Sequence, residues 1–465
     1  MKQRYLRRLV QALGIVLLLY LLFVLISFIV QPLFAKRTPG QGLTGPSAQP
    51  DTEQVLCIDD NNDALLWRLK AIESARHEIT LSTFQLGTAH SGMDIMAALQ
   101  AAAQRGVQVK LIIDGGLNSL GLPGNDLFQA LANTENVEIR FYNPISPLKP
   151  WKANYRLHDK YLIVDDALYL LGGRNTSDLF LGDYIENQNI DRDLLVYTSH
   201  PQADTSIDQV KAYFARVWNE PDNKIIQPKH RRDIPAAAQA LQDRYVVLHD
   251  EYPQVFAPVD WTAETQPVRQ VQLLNNPTAP TFKQAQLWET LQDILADGTE
   301  ITIQTPYIVC DKAMYQQMTQ LAQKRSLRIL TNAVENGANP WGCSDYLSHK
   351  DNILRTGAEV YEFCGGDSLH AKTILVDDTV SLVGSYNLDM RSTNLNTELM
   401  LYVESPALNA ELRGKMETAM AASRHIFPDG TQVEGSQFSP PDFGPAKKLL
   451  YRVLQVVTRP VRHLL

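Results

Sequence analysis

Two stretches decide the fold. The first is His158-Asp-Lys160-Tyr-Leu-Ile-Val-Asp165, followed after six residues by Gly172-Gly173-Arg174-Asn175. The second is His370-Ala-Lys372-Thr-Ile-Leu-Val-Asp377, followed after six residues by Gly384-Ser385-Tyr386-Asn387. Both read HxKx4Dx6G[GS]xN. With each residue type at roughly 1 in 20, five fixed positions recur by chance about once in a few million starts, so two copies in one chain point to a duplication. His and Lys two apart on a strand share a face, so an imidazole and an ammonium converge on one point. The residues between Lys and Asp, YLIV and TILV, suit a strand buried on both faces. The glycines let the backbone approach an anion closely. The Asn175 and Asn387 amides and the Ser385 hydroxyl can donate to phosphate oxygens. Lys160 and Lys372 supply the charge that stabilises a pentavalent phosphorus. Asp165 and Asp377 complete the candidate catalytic set, His158, Lys160, Asp165, His370, Lys372 and Asp377. Their parity is opposite to that of His and Lys, which suits locking a turn or pairing with a neighbour better than touching a substrate.

Working outward, each motif ends a similar order of elements. A helical pattern ALLWRLKAIESA, an alternating run EITLSTF (78–84), a helix MDIMAALQAAAQRG and a strand VQVKLIID (107–114) precede the first motif. Strands alternating with helices of this length indicate a parallel or mixed sheet covered by helices. About 220 residues later EITLSTF is answered by EITIQTP (300–306), AAAQRGVQVKLI (101–112) by LAQKRSLRIL (321–330), and VEI (137–139) by AEV (358–360). A repeat on this scale lowers a length-based guess of three domains to two. The boundaries read 1–34 for a basic end and anchor, 35–54 for a linker, 55–221 and 269–430 for the two halves, 222–268 for a connector and 431–465 for a tail.

The formal charge of −8 hides its distribution. Residues 1–37 carry +6, residues 446–465 carry +5, and the stretch between carries −19. A body of that sign repels phosphate backbones and argues against a general nucleic-acid binder, whereas basic ends fit an anionic membrane. Leu9 to Ala35 is a run of 27 residues without a charge, longer than the roughly 20 a bilayer core needs. It reads as an uncleaved span, not a signal peptide, whose apolar region is about 7–15 residues. Four basic residues before it and two after set the N-terminus in the cytoplasm and the body outside, a single-pass arrangement at the cell membrane. Residues 36–54, rich in Gly, Pro and polar residues, read as a tether. The tail, AKKLLYRVLQVVTRPVRHLL, spaces apolar residues helically against Lys, Arg and His, as in an interfacial membrane helix or one docked on the body. Cys57, Cys310, Cys343 and Cys364 allow three disulfide pairings or none, and their spacing lacks the CxxC pairs of a zinc site.

These motifs resemble those of the phospholipase D (HKD) superfamily over about residues 55 to 425. The flanks LLGGRNTSDLFLGD (170–183) and LVGSYNLDMRSTNLNTELML (382–401) are similar to the bacterial cardiolipin synthase branch, in particular its cardiolipin synthase C type. The resemblance implies an α/β fold: a tandem duplicated phospholipase D fold, two α/β/α sandwiches with pseudo-twofold symmetry, beside the N-terminal transmembrane helix. It implies one active site at the interface, no metal or other cofactor, and a two-step reaction on phospholipid. One histidine, His158 by analogy, attacks phosphorus to form a phosphohistidine, while His370 protonates the leaving alcohol and then serves as base. The implied activity is transfer of a phosphatidyl group, making cardiolipin from phosphatidylglycerol and a second phospholipid. Alternatives on the same residues are hydrolysis by a phospholipase D or phosphodiesterase, a nuclease, or a non-catalytic interaction protein. In the family an acid downstream of each motif orients the histidine, and the matching positions are Asp193 in NIDRDLLV and Glu398 in NLNTELML. Gly173 departs from the GSxN pattern and removes one hydroxyl. The loop 142–156, with three prolines and Lys149, Trp151, Lys152, Tyr155 and Arg156, suits either a lipid-headgroup grip or packing on the body.

Overall fold

The computed structural model describes residues 2–30, 39–40, 42–43, 52–199, 205–229, 231–441 and 443–465. Two nine-stranded mixed sheets form the body. In spatial order the first runs Gln266–Pro267, Glu53–Ile58, Asp193–Thr198, Leu168–Gly172, Tyr161–Val164, Glu78–Thr83, Gln108–Asp114, Val137–Tyr142 and Lys224–Ile225. The second runs Gln270–Asn275, Leu399–Glu404, Val380–Gly384, Thr373–Val376, Glu300–Gln304, Ser326–Asn332, Glu359–Phe363, Ser423–Ile426 and Gln432–Glu434. The seven inner strands of the first sheet correspond, in order, to the first seven of the second. In both halves the strand from the EIT run pairs in parallel with the next strand of its repeat, which pairs in parallel with the one after it, and antiparallel with the motif strand.

Helices Asn61–Ser74, His90–Gln104 and Asp126–Ala132 cover the outer face of the first sheet through Leu65, Leu69, Leu99 and Phe128. Gln286–Asp297, Lys312–Ala322 and Pro340–Leu354 do the same for the second through Trp288, Leu291, Met318 and Ile353. Between the sheets lies a third core that includes residues of both halves. Val55, Ile163, Tyr169 and Val196 meet Val271, Leu375, Val383 and Leu401, with residues of helices Ser206–Trp218 and Pro406–Ala421 among them. Each fully buried Val or Leu there contributes about 1.5–3 kcal/mol, so the halves form one cooperative body.

The turn after each motif strand is held as its parity predicts. Asp165 (φ 52°) accepts hydrogen bonds from the backbone N–H of Arg76, His77 and Glu78. Asp377 (φ 49°) accepts from Thr299 N–H and Oγ1 and from Glu300 N–H. Asp tolerates this left-handed conformation better than most residues. Both carboxylates are thus occupied by backbone donors at the far end of the strand from the histidines, which corrects their inclusion among the catalytic residues.

Residues 222–268 do more than connect. Lys224–Ile225 and Gln266–Pro267 form both edges of the first sheet, and the helix Ile234–Glu251 buries Ile234, Ala237, Leu241 and Leu248 in the first half's core. Lys2–Val30 is one helix, within which Gln3–Phe28 is long and apolar enough to cross a membrane. The end of the expected span at 31–35, Lys36 and Arg37, and most of the linker lie outside the described residues. The helix touches the body twice: Tyr20 OH donates to Pro147 O (3.0 Å), with Phe23 edge-on to Trp151, and Phe28 O meets His463 Nε2 (2.6 Å). The tail helix Pro445–Val457 docks Tyr451 and Leu454 into the second half's core while leaving Leu449, Leu450, Val453, Val456 and Val457 exposed. All four cysteines are buried free thiols.

Candidate active site

The two motif strands begin at Tyr161 and Thr373, so His158, Lys160, His370 and Lys372 sit on extended chain just before them. That chain pairs across the interface instead of within its own sheet. Leu157 bridges Thr397, and Ser368–Leu369 runs parallel to Asn189–Ile190. His158 N–H donates to Thr397 Oγ1 (3.1 Å) and His370 N–H to Ile190 O (2.7 Å). Each histidine is therefore seated by the half to which it does not belong.

The orienting acids cross over in the same way. His158 Nδ1 lies 2.9 Å from Glu398 of the second half, and His370 Nδ1 lies 2.5 Å from Asp191 Oδ2 of the first. The expectation for Glu398 holds; that for Asp193 does not. Asp193 pairs with Arg68 (2.8 Å) and Arg174 (3.3 Å) in full burial. The sheet register explains the displacement. Gly172 faces Asp193 as Gly384 faces Met400, so Asp191, two residues earlier, is the structural match of Glu398. Residues two apart on a strand share a face, and alternation could not choose between Asp191 and Asp193.

Ser385, expected to bind phosphate, instead donates to Glu398 Oε2 (2.5 Å), and Ser392 donates to Oε1 (2.7 Å). The same register accounts for Gly173. A Cβ there would lie 2.2 Å from Asp191 Oδ1. The shorter aspartate carries its carboxylate into the space a serine side chain would fill, so Asp with Gly in one half replaces Glu with Ser in the other.

With both Nδ1 atoms engaged, the Nε2 atoms are left for chemistry. His158 and His370 line one cavity of about 390 Å³ together with Asn175, Asn387, Tyr307 and Arg391. Among the described residues Asn175 Oδ1 and Asn387 Oδ1 have no hydrogen-bond partner, and Asn387 Nδ2 donates to Tyr307 OH (3.3 Å). Phe84 and Phe180 stand edge-on to His158 and His370, at 5.3 and 4.9 Å between ring centroids. Lys160 Nζ donates to His158 O (2.6 Å) and Lys372 Nζ to His370 O. Lys372 Nζ also lies 2.8 Å from His370 Nδ1, but that nitrogen has one in-plane position and the nearer carboxylate takes it. Phe84, Phe180, Asp191, Tyr307 and Arg391 were not among the expected site residues. Only Arg391 had a local signal, as the lone cation in the quoted flank LVGSYNLDMRSTN.

Burial, reinforced by Lys160, Lys372 and Arg391, pushes the His158 imidazole well below its ordinary pKa. Burial and Lys372 push His370 down to about 4, against the opposing pull of Asp191. Both rings are neutral at pH 7 until an anion arrives. Burial lowers Lys372 to about 8 and raises Glu398 to about 7. Burial alone would raise Asp191, but the Lys372 ammonium and His370 hold it well below the usual carboxylate range. The two acids therefore differ: neighbouring cations hold Asp191 down as an anion, whereas burial pushes Glu398 up to about 7.

Comparison with known proteins gives the same architecture. The sequence profile described as "Cardiolipin synthase, PLD-like domain" matches residues 69–218 and 291–420, more than half of the chain. Cardiolipin synthase C of Escherichia coli (strain K12) is 28% identical over 393 residues, which is 76% of this chain and 81% of that one. Cardiolipin synthase 1 of Staphylococcus aureus (strain MRSA252) is 25% identical over 368 residues, 79% of this chain and 67% of that one. Among solved structures, phosphatidylserine synthase of Haemophilus influenzae Rd KW20 superposes with a TM-score of 0.60 at 15% identity, covering 89% of this chain and 95% of that one, a likeness of fold.

Proposed function

The chain belongs to the cardiolipin synthase PLD-like domain family and is a phospholipid-modifying enzyme, and on that premise we propose that it transfers a phosphatidyl group from phosphatidylglycerol to a second phospholipid, making cardiolipin. His158 Nε2 attacks the donor phosphorus, and His370 delivers a proton to the departing glycerol oxygen. The phosphatidyl group then rests on His158 as a phosphohistidine. The hydroxyl of the second lipid attacks phosphorus, gives its proton to His370 and restores free His158. Two phosphatidylglycerols thus become one cardiolipin and one glycerol. Lys160, Lys372, Asn175 and Asn387 stabilise the charge that gathers on the phosphate oxygens.

The observation that carries this reading is the pair of histidines facing one cavity with unequal acids behind them. A fixed anion, Asp191, favours an imidazolium, which suits His370 as the proton donor once the phosphate has entered. Glu398, near neutrality, leaves His158 unprotonated and nucleophilic. The apolar N-terminal helix supports a single-pass anchor, and the charge on its two flanks supports a body on the extracytoplasmic side. The test is purified full-length protein on phosphatidylglycerol vesicles with the lipid products resolved. Cardiolipin is expected, and His158→Ala abolishes it. Phosphatidic acid as the sole product would replace transfer by hydrolysis, and full activity of His158→Ala would overturn the mechanism.

A further inference from the structure

A second chamber of about 780 Å³ adjoins the first and shares Phe84, Gln85, Arg156 and Arg391 with it. Its two guanidiniums differ in what they meet. Arg156 faces Asp114 at 3.4 Å and donates to Asn143 O and Tyr155 O. Arg391 is held by carbonyls alone, Leu464 O on Nε (2.8 Å) and Asn154 O on Nη1 (3.1 Å). No carboxylate lies within ion-pair distance of it among the described residues, and its Nη2 has no acceptor there. A cation at a cavity wall that Asp389 and Asp114 act on only from beyond ion-pair distance, with no carboxylate in contact, points to an anion from outside the chain.

The rest of the chamber is unsuited to a free inorganic anion. Leu117, Leu122, Ile145 and Ala153 line it. Leu117 on its wall is 81% exposed, and Leu120 and Leu148, on the chain segments that supply Leu122 and Ile145, are 71% and 86% exposed, apolar surface that suits a lipid better than water. The loop that supplies Ile145 and Ala153 is also the one that meets the membrane helix, through Tyr20 with Pro147 and Phe23 with Trp151. Cation, apolar wall, exposed leucines and membrane helix thus follow one another outward from the histidines.

We propose that this chamber is a second glycerophospholipid site, with the lipid's phosphodiester on Arg391 and its acyl chains along Leu117, Leu122 and Ile145 toward the membrane. Its naming as the acceptor site rests on the transfer reading above, because an acceptor must lie beside the phosphatidyl-enzyme without displacing it. The C-terminal residues Leu464 and Leu465 then position Arg391 for this site, the former at Nε and the latter by accepting from its backbone N–H (2.8 Å).

The experiment counts lipids without turnover. His158→Ala protein, full length in detergent, is titrated calorimetrically with monomeric dihexanoyl-phosphatidylglycerol, and two sites per chain are expected. Adding Arg391→Gln reduces the count to one. So does adding Gly121→Trp, which fills the chamber from a position where a new side chain has nothing within 4 Å. One site in the His158→Ala protein, or a second site that survives either substitution, overturns the proposal. Inorganic phosphate should not compete for the second site; displacement at equal concentration would make it a free-anion site and overturn the lipid assignment. Because binding is counted in a variant that cannot turn over, a wild-type enzyme that yields only phosphatidic acid refutes transfer without altering this count.

Discussion

Asp191 and Asp193 lie two residues apart and have opposite duties, so replacing each by Asn separates catalysis from stability. Asp191 takes His370 Nδ1 at 2.5 Å. A hydrogen bond to a charged group contributes about 1.5–3 kcal/mol. At tenfold per about 1.4 kcal/mol, Asp191→Asn lowers kcat by about 10- to 150-fold, and by more if the amide presents its NH2 to the ring and selects the wrong tautomer. Stability falls by less than in the Asp193 variant, because no ion pair to an arginine is lost, although the buried anion that faces Lys372 is. Asp193 is bound to Arg68 at 2.8 Å and Arg174 at 3.3 Å in full burial. Breaking a buried pair costs about 3–5 kcal/mol, so Asp193→Asn lowers the denaturant midpoint strongly while kcat per folded molecule stays within about threefold. The assay is product formation from phosphatidylglycerol vesicles, normalised to the folded fraction from unfolding curves. An inactive but stable Asp193→Asn protein beside an active Asp191→Asn protein would refute the register on which the site is built.

Three further outcomes are expected. Gly173→Ser alone drives a side chain into Asp191, whose Oδ1 lies 2.2 Å from the Cβ position, and loses activity at least about tenfold; adding Asp191→Glu rebuilds the Ser385–Glu398 arrangement and regains part of it, as product assays on both variants will show. Lys372 has its pKa lowered by burial from 10.5 to about 8, so the folded state binds fewer protons than the unfolded chain between those values. Stability therefore rises with pH through that window while kcat/KM, which needs the ammonium of Lys372 and that of Lys160, itself lowered by burial to about 7, falls above about pH 7 to 8; parallel unfolding and rate profiles check both signs. Leu449, Val453 and Val456 are exposed on the docked tail helix, so their joint replacement by Glu weakens vesicle sedimentation of the anchor-free body several-fold while its unfolding midpoint is unchanged.

The duplication, the motif strands and one of the two orienting acids, Glu398, could be read from the sequence because they rest on local spacing. EIT at 78–80 and 300–302 and the two HxK motifs keep their offsets through the repeat, and period-two alternation is a property of neighbouring residues. What escaped reading is what the two halves do to one another. No spacing links Glu398 to His158 or Asp191 to His370, since those contacts arise only when two strands meet across an interface. Ser385 was aimed at phosphate because a hydroxyl beside a glycine is a fit donor. Its actual partner, Glu398, lies on a strand whose register is settled by the whole sheet. The helix Ile234–Glu251 was taken for connector because its apolar positions, Ile234, Ala237, Leu241 and Leu248, are too sparse to mark an amphipathic face beside its charged ones.

The crossing of the acids gives the duplication a chemical consequence. An isolated half would keep a histidine and a lysine with no carboxylate behind the ring, and burial would then hold the imidazole neutral with nothing to fix its tautomer. Assembly supplies the missing acid to both rings at once. It also explains how a body carrying −19 can hold an anionic lipid. Arg156, Arg391 and Asp114 line the two chambers, while Lys160, Lys372, Asp191 and a Glu398 that burial raises to about 7 stand behind the histidines. At an effective dielectric of about 20, each unit charge 4 Å from a phosphate is worth about 4 kcal/mol, and beyond a Debye length of about 8 Å the acidic exterior is screened. The sign a lipid headgroup meets is therefore set by these few buried groups, and the sum over the chain governs only what the protein repels at a distance.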